Sequence, residues 1–93
     1  MGFDRDAYAT RIKSLRKSRG LTQEQLAEKM NVTSTYIVKI ENSKRTGSIE
    51  FSVELADCFG VSLDYLLLGA ESKNKKQMLK TVISFLSELE AEL

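Results

Sequence analysis

Apolar positions in the stretch LTQEQLAEKMNVTSTYIVKIEN, residues 21–42, follow a helical spacing twice rather than once. Leu26 and Met30 stand four apart, the pattern lapses at Asn31-Val32-Thr33, and Ile37 and Ile40 restart it. The same period recurs along the chain. Tyr8, Ile12 and Leu15 predict a helix over about 6–19, halted by Gly20 behind cations that suit a helix C-terminus. Thr22 and Gln25 have the spacing of a capping box for a helix over about 23–30. Asn31 tolerates the left-handed backbone and ends that helix, Val32 plugs the corner, and Thr33 caps a helix over about 34–42. Ser48 opens a fourth helix that runs to Phe59 and stops at Gly60; Ser62 caps a short fifth, SLDYLLL, ended by Gly69. Residues 70–76, AESKNKK, read as a linker, and a last helix is predicted over about 75–92. β-branched residues never alternate over a useful length, so the expected class is all-α.

Breaking one amphipathic helix into two has a geometric use. Two short helices across a tight turn cross steeply, and the second can project from the domain into the roughly 12 Å wide major groove of B-DNA. The crossing needs a small side chain, which Ala27 supplies, and a left-handed corner, which Asn31 supplies. The projecting helix buries Ile37 and Ile40 and keeps its other faces outward.

Composition narrows the field. A chain of 93 residues has room for one small domain and one appended element, and its 42% apolar and 29% charged content argues against global disorder. No run approaches the ~18 apolar residues of a membrane span, and MGFDRDAYA lacks a signal-peptide core, so no membrane partner and a cytoplasmic location are expected. Cys58, alone, excludes an intrachain disulfide and sits in an apolar helical pattern, as a buried small hydrophobe would. Histidine is absent, which removes the usual general base and the commonest zinc ligand. With no paired carboxylates and no glycine-rich phosphate loop, neither an enzyme nor a cofactor or metal site is expected.

Net charge conceals an asymmetry. Residues 1–47 carry ten Lys/Arg against five Asp/Glu, whereas residues 48–93 carry four against eight. RIKSLRKSR, residues 11–19, has five cations and no acid. A polyanion is the leading candidate partner for the N-terminal half.

Residues 11–69 resemble the helix-turn-helix domain of the lambda repressor/Cro class, also called the XRE type. The motifs that carry the resemblance are Leu-Thr-Gln at 21–23, Leu-Ala at 26–27, Tyr-Ile at 36–37, Ile-Glu-Asn at 40–42 and Gly-Val-Ser at 60–62. Departures are Asn31 and Ser43 where glycine is frequent, and Gly47 where proline is common. The resemblance implies a five-helix DNA-binding domain with an added C-terminal helix, and a recognition helix over 34–42. Ser34, Thr35, Val38 and Lys39 are then the base-contacting residues, with Lys39 suited to guanine and Val38 to a thymine methyl. Gln23, at a helix N-terminus, and Tyr36, Asn42, Lys44 and Arg45 are the implied phosphate contacts. Arg16 and Glu41 are implied to pair between helices one and three, orienting the recognition helix; the alternative is two solvated charges.

Beyond Gly69 the chain is read on its own. Leu79, Val82, Leu86, Leu89 and Leu93 are spaced 3-4-3-4, a heptad seam that Met78, Ile83 and Phe85 widen. The helix starts basic and ends acidic, against its own dipole, so packing must hold it. Two antiparallel copies would set each basic start beside an acidic end, which predicts a homodimer through Leu79, Val82, Ile83, Leu86, Leu89 and Leu93. The alternative is a helix that caps its own domain.

These readings lead to a sequence-specific regulator of transcription, a repressor binding a palindromic operator in double-stranded DNA as a homodimer. Two alternatives stay open: an antitoxin-type autoregulator whose last helix binds a toxin, and an interaction module without DNA binding.

Overall fold

The computed structural model describes residues 3–69 and 75–92 as six α-helices with no strand among them. In chain order these are α1 (Arg5–Ser18), α2 (Gln23–Met30), α3 (Ser34–Glu41), α4 (Ile49–Phe59), α5 (Leu63–Leu68) and α6 (Lys75–Ala91). The all-α architecture and the helix breaks match the hydrophobic pattern. The linker expected at 70–76 falls mostly outside the described residues.

Three of the breaks are built from a left-handed residue followed two positions later by a hydroxyl cap. Gly20 and Thr22, Asn31 and Thr33, and Gly60 and Ser62 form the three pairs. At the corner that matters most, Asn31 adopts φ 57° and ψ 44°, and the Val32 N–H returns to the Ala27 carbonyl at 2.9 Å. The Asn31 N–H also bonds the Ala27 and Glu28 carbonyls, so the turn closes back on the last turn of the helix. Thr22 and Gln25 form both halves of the capping box, and the Thr33 hydroxyl accepts from the Tyr36 N–H. Ser43 takes the left-handed conformation at the end of α3, where glycine is frequent in the resembling family. The altered residues keep the turns.

The core gathers one stripe from every helix: Tyr8 and Ile12, Leu26 and Ala27, Ile37 and Ile40, Leu55 and Phe59, Leu66 and Leu67, and Phe85. Cys58 is half-buried against this cluster rather than enclosed by it. Gly47 lies in the link between α3 and α4, where a Cβ would stand 2.7 Å from Phe51 and 2.9 Å from the Tyr8 hydroxyl. Any larger residue there, proline included, would crowd Phe51 and the Tyr8 hydroxyl that hydrogen-bonds Ser52.

Helix α6 packs on its own domain. Phe85 is fully buried, edge-on to Phe3 and tilted against Tyr8, and the Phe3 N–H donates to the Ser84 hydroxyl. Thr81 is buried and Leu89 is half-buried against the core. The 3-4-3-4 seam is therefore divided. Leu89 faces inward and Val82 is half-buried, whereas Leu79, Ile83 and Leu86 are exposed at 59%, 55% and 46%. An aromatic cluster, Phe3–Tyr8–Phe85, sets the rotation of the helix, which leucine spacing does not report. Leu93 lies outside the described residues.

Candidate nucleic-acid interface

Helix α3 is held by Ile37 and Ile40, both 1% exposed, and by the burial of Glu41. The Glu41 carboxylate accepts from Arg16 Nε at 2.7 Å and Nη2 at 3.0 Å, joining the end of α3 to α1. Arg16 also donates from Nη1 to the Leu21 carbonyl. The adjacent carboxylate raises the guanidinium pKa above its ordinary value. The expected pair is present and bidentate.

With one face anchored, the others turn outward. Thr35 and Lys39 are exposed, Ser34 and Val38 are half-exposed, and Val38 stands outside the core cluster. None of the four is packed inside the domain. Asn42, Lys44 and Arg45 continue this surface beyond the helix and are all exposed.

Two of the implied phosphate contacts have internal partners that the sequence did not reveal. Gln23 Nε2 donates to Glu41 Oε1 at 3.1 Å, so the amide leans on the ion pair rather than standing free at the helix start. Its second N–H keeps the capacity to donate outward. The Tyr36 hydroxyl accepts from the Ser48 N–H at 3.1 Å, its ring lies edge-on to Phe51, and the Arg45 guanidinium sits 5.3 Å above that ring. Tyr36 thus fixes the link into α4 and positions Arg45; its hydroxyl hydrogen can still be donated.

The basic run 11–19 has a different meaning from the one its charge suggested. Arg16 is buried with Glu41, Arg11 Nε donates to the Leu66 carbonyl, and Arg19 donates to the Phe59 carbonyl while covering the Phe59 ring. Three of its five cations are structural ties between helices, leaving Lys13 and Lys17 exposed. The cations that flank the outward face of α3 are Lys39, Lys44 and Arg45 instead.

A two-helix unit with a left-handed corner, an anchored second helix and an outward polar face defines a helix-turn-helix domain. A helix-turn-helix family model matches residues 12–66. The immunity repressor protein of Bacillus phage phi105 is 36% identical over 67 residues, covering 72% of this chain and 46% of that protein. The transcriptional regulator ImmR of Bacillus subtilis is 33% identical over 85 residues, covering 88% of this chain and 67% of its own length. Among solved structures, the P22 c2 repressor in complex with a synthetic operator superposes with a TM-score of 0.64 at 28% identity, covering 68% of this chain and 96% of that one. The chain thus spans about half the length of the phage relative. The chain belongs to the helix-turn-helix family of transcriptional regulators, of the lambda repressor/Cro type.

Proposed function

We propose that this protein is a transcriptional repressor that binds a palindromic operator in cytoplasmic double-stranded DNA as a homodimer. Supporting the reading above all is the outward face of α3, where Ser34, Thr35, Val38 and Lys39 have no packing role while Ile37 and Ile40 hold the helix from behind. The four side chains supply hydroxyl, methyl and ammonium groups to base edges, and the backbone is held by Gln23, Tyr36, Asn42, Lys44 and Arg45. The repressor name of the phage relative and the operator in the P22 c2 complex support the same assignment.

One eight-residue helix reads only a few base pairs, so a two-fold partner is needed to specify a site. The exposed Leu79, Ile83 and Leu86, with Val82 beside them, offer the apolar stripe for it. Lys76 and Lys80 at one end of α6 and Glu88 and Glu90 at the other favour an antiparallel crossing. Helix α6 then serves its own core through Phe85 and a second copy through the opposite face.

Selection of binding sites from random duplex DNA tests both halves of the proposal. Enrichment of a palindrome with half-sites about one helical turn apart is expected. Enrichment of a lone half-site would remove the dimer, and no enrichment would remove sequence-specific binding. In sedimentation, Ile83→Glu is expected to yield monomers that keep their helical content.

A further inference from the structure

Glu92, at the C-terminal end of α6, reaches back to the link that follows the projecting helix. Both carboxylate oxygens accept from the Thr46 N–H, at 3.0 and 2.9 Å, and Arg5 Nη1 lies 3.4 Å from Oε2. Thr46 follows Lys44 and Arg45 directly and is itself 1% exposed. A main-chain N–H flanked by cations is the donor set that positions a DNA phosphate. Here a carboxylate of the same chain holds it.

The surroundings fit an anion site shared by two claimants. A cleft of about 1050 Å³ opens between the two elements, with Lys39, Lys44 and Arg45 from the α3 side and Leu86, Leu89 and Glu90 from α6. Ser34, Thr35 and Val38 do not line it. Seating α6 does not require the contact, because Phe85, Thr81 and the Phe3–Ser84 hydrogen bond already fix the helix nearer its middle. A carboxylate at a helix C-terminus also opposes the helix dipole, so local electrostatics do not favour Glu92 there.

We propose that the Glu92 carboxylate is a built-in phosphate mimic. With the end of α6 docked, it occupies the Thr46 N–H and adds negative charge beside Lys44 and Arg45. A DNA backbone must displace it to bind, and whatever draws the end of α6 away raises DNA affinity. The effect falls on phosphate contact and, of the four outward residues of α3, reaches only Lys39, which lines the same cleft. This inference rests on the DNA-binding function proposed above.

The test is binding of a random-sequence 20-base-pair duplex, followed by fluorescence anisotropy over a series of salt concentrations. The 93-residue wild type, Glu92→Ala and Glu90→Ala are compared; the last removes an equal charge from the same cleft without touching Thr46. Glu92→Ala is expected to bind about three- to tenfold tighter, the size of one hydrogen bond exchanged between anions. Its salt dependence should steepen by about one phosphate, roughly 0.9 in log–log slope. Glu90→Ala is expected to change affinity by less than about twofold. Glu92→Gln, which keeps the side chain's size, should move in the same direction by a smaller factor, and it decides the matter if the alanine variant loses helical content. Equal gains from Glu90→Ala and Glu92→Ala would overturn the latch, as would wild-type binding no weaker than that of either Glu92 variant. Failure of every chain to bind the duplex would overturn both the latch and the function on which it rests.

Discussion

Arg16 and Glu41 stand 25 residues apart and close on each other through two hydrogen bonds, Nε to Oε2 and Nη2 to Oε1. Their side chains are 8% and 1% exposed. A buried pair of this kind behaves unlike a surface salt bridge: removing one partner strands the other charge in a poorly solvated site, at a cost of about 3–5 kcal/mol. Glu41→Gln is therefore expected to lower the melting temperature by at least about 10 °C, on the scale of small domains. The double variant Arg16→Met with Glu41→Leu should recover most of that loss, because two apolar groups leave no orphaned charge. Thermal unfolding by circular dichroism distinguishes the two. An unchanged melting temperature for Glu41→Gln would reduce the pair to solvated charges.

The exposed cations beyond α3 should act uniformly on DNA. Lys44→Gln and Arg45→Gln are each expected to weaken operator and random duplex alike and to lower the salt slope by about 1. Val38→Ala and Thr35→Ala should instead narrow the ratio of specific to random binding, by about 1–3 kcal/mol per lost base contact. Anisotropy titrations on both duplexes at several salt concentrations separate the classes.

Gly47 is required by proximity. Gly47→Ala places a methyl 2.7 Å from Phe51 Cδ2 and 2.9 Å from the Tyr8 hydroxyl, both belonging to buried side chains. Overpacking of this kind costs about 1–3 kcal/mol, and urea denaturation should show a lower midpoint with the same slope.

Tyr8 ties part of the fold's stability to alkaline pH. Burial pushes its hydroxyl well above the ordinary 10.0, against the smaller opposing effect of the hydrogen bond with Ser52. The unfolded chain releases this proton first as pH rises, so between the two pKa values the folded state binds more protons. Stability from Tyr8 is complete below about pH 10 and is lost progressively above it. Tyr8→Phe should flatten the fall in stability between about pH 9 and about pH 12. At neutral pH the same variant should cost about 1–3 kcal/mol by leaving the Ser52 hydroxyl unpaired. Denaturation midpoints across that pH range give both quantities.

Local signals in the sequence carried most of the fold. Thr22, Thr33, Ser48 and Ser62 all cap the helices they were expected to open, because each hydroxyl bonds an N–H three residues away and nothing distant competes. Asn31 is left-handed for the same reason of local sterics. What escaped was long-range. The Thr46–Glu92 contact spans 46 residues and has no periodicity to announce it. The rotation of α6 follows from Phe3, Tyr8 and Phe85 meeting across the domain, which leucine spacing cannot report. Within the interface, the outward residues of α3 could be placed from the helix period. The internal partners of Gln23 and Tyr36 could not, because a polar side chain near a helix start suits a neighbour and a ligand equally. The run 11–19 shows the same limit for charge, since arginines that tie helices together and arginines that meet a polyanion are indistinguishable in a count.

The divided labour of α3 bears on how such a protein could change its target. Ile37, Ile40 and Glu41 hold the scaffold, whereas Ser34, Thr35, Val38 and Lys39 support nothing behind them. Substitutions at those four places should therefore accumulate with little thermodynamic penalty, and under the base contacts proposed for them a new operator preference would arise by exchanging the lettering on a helix whose mounting stays put.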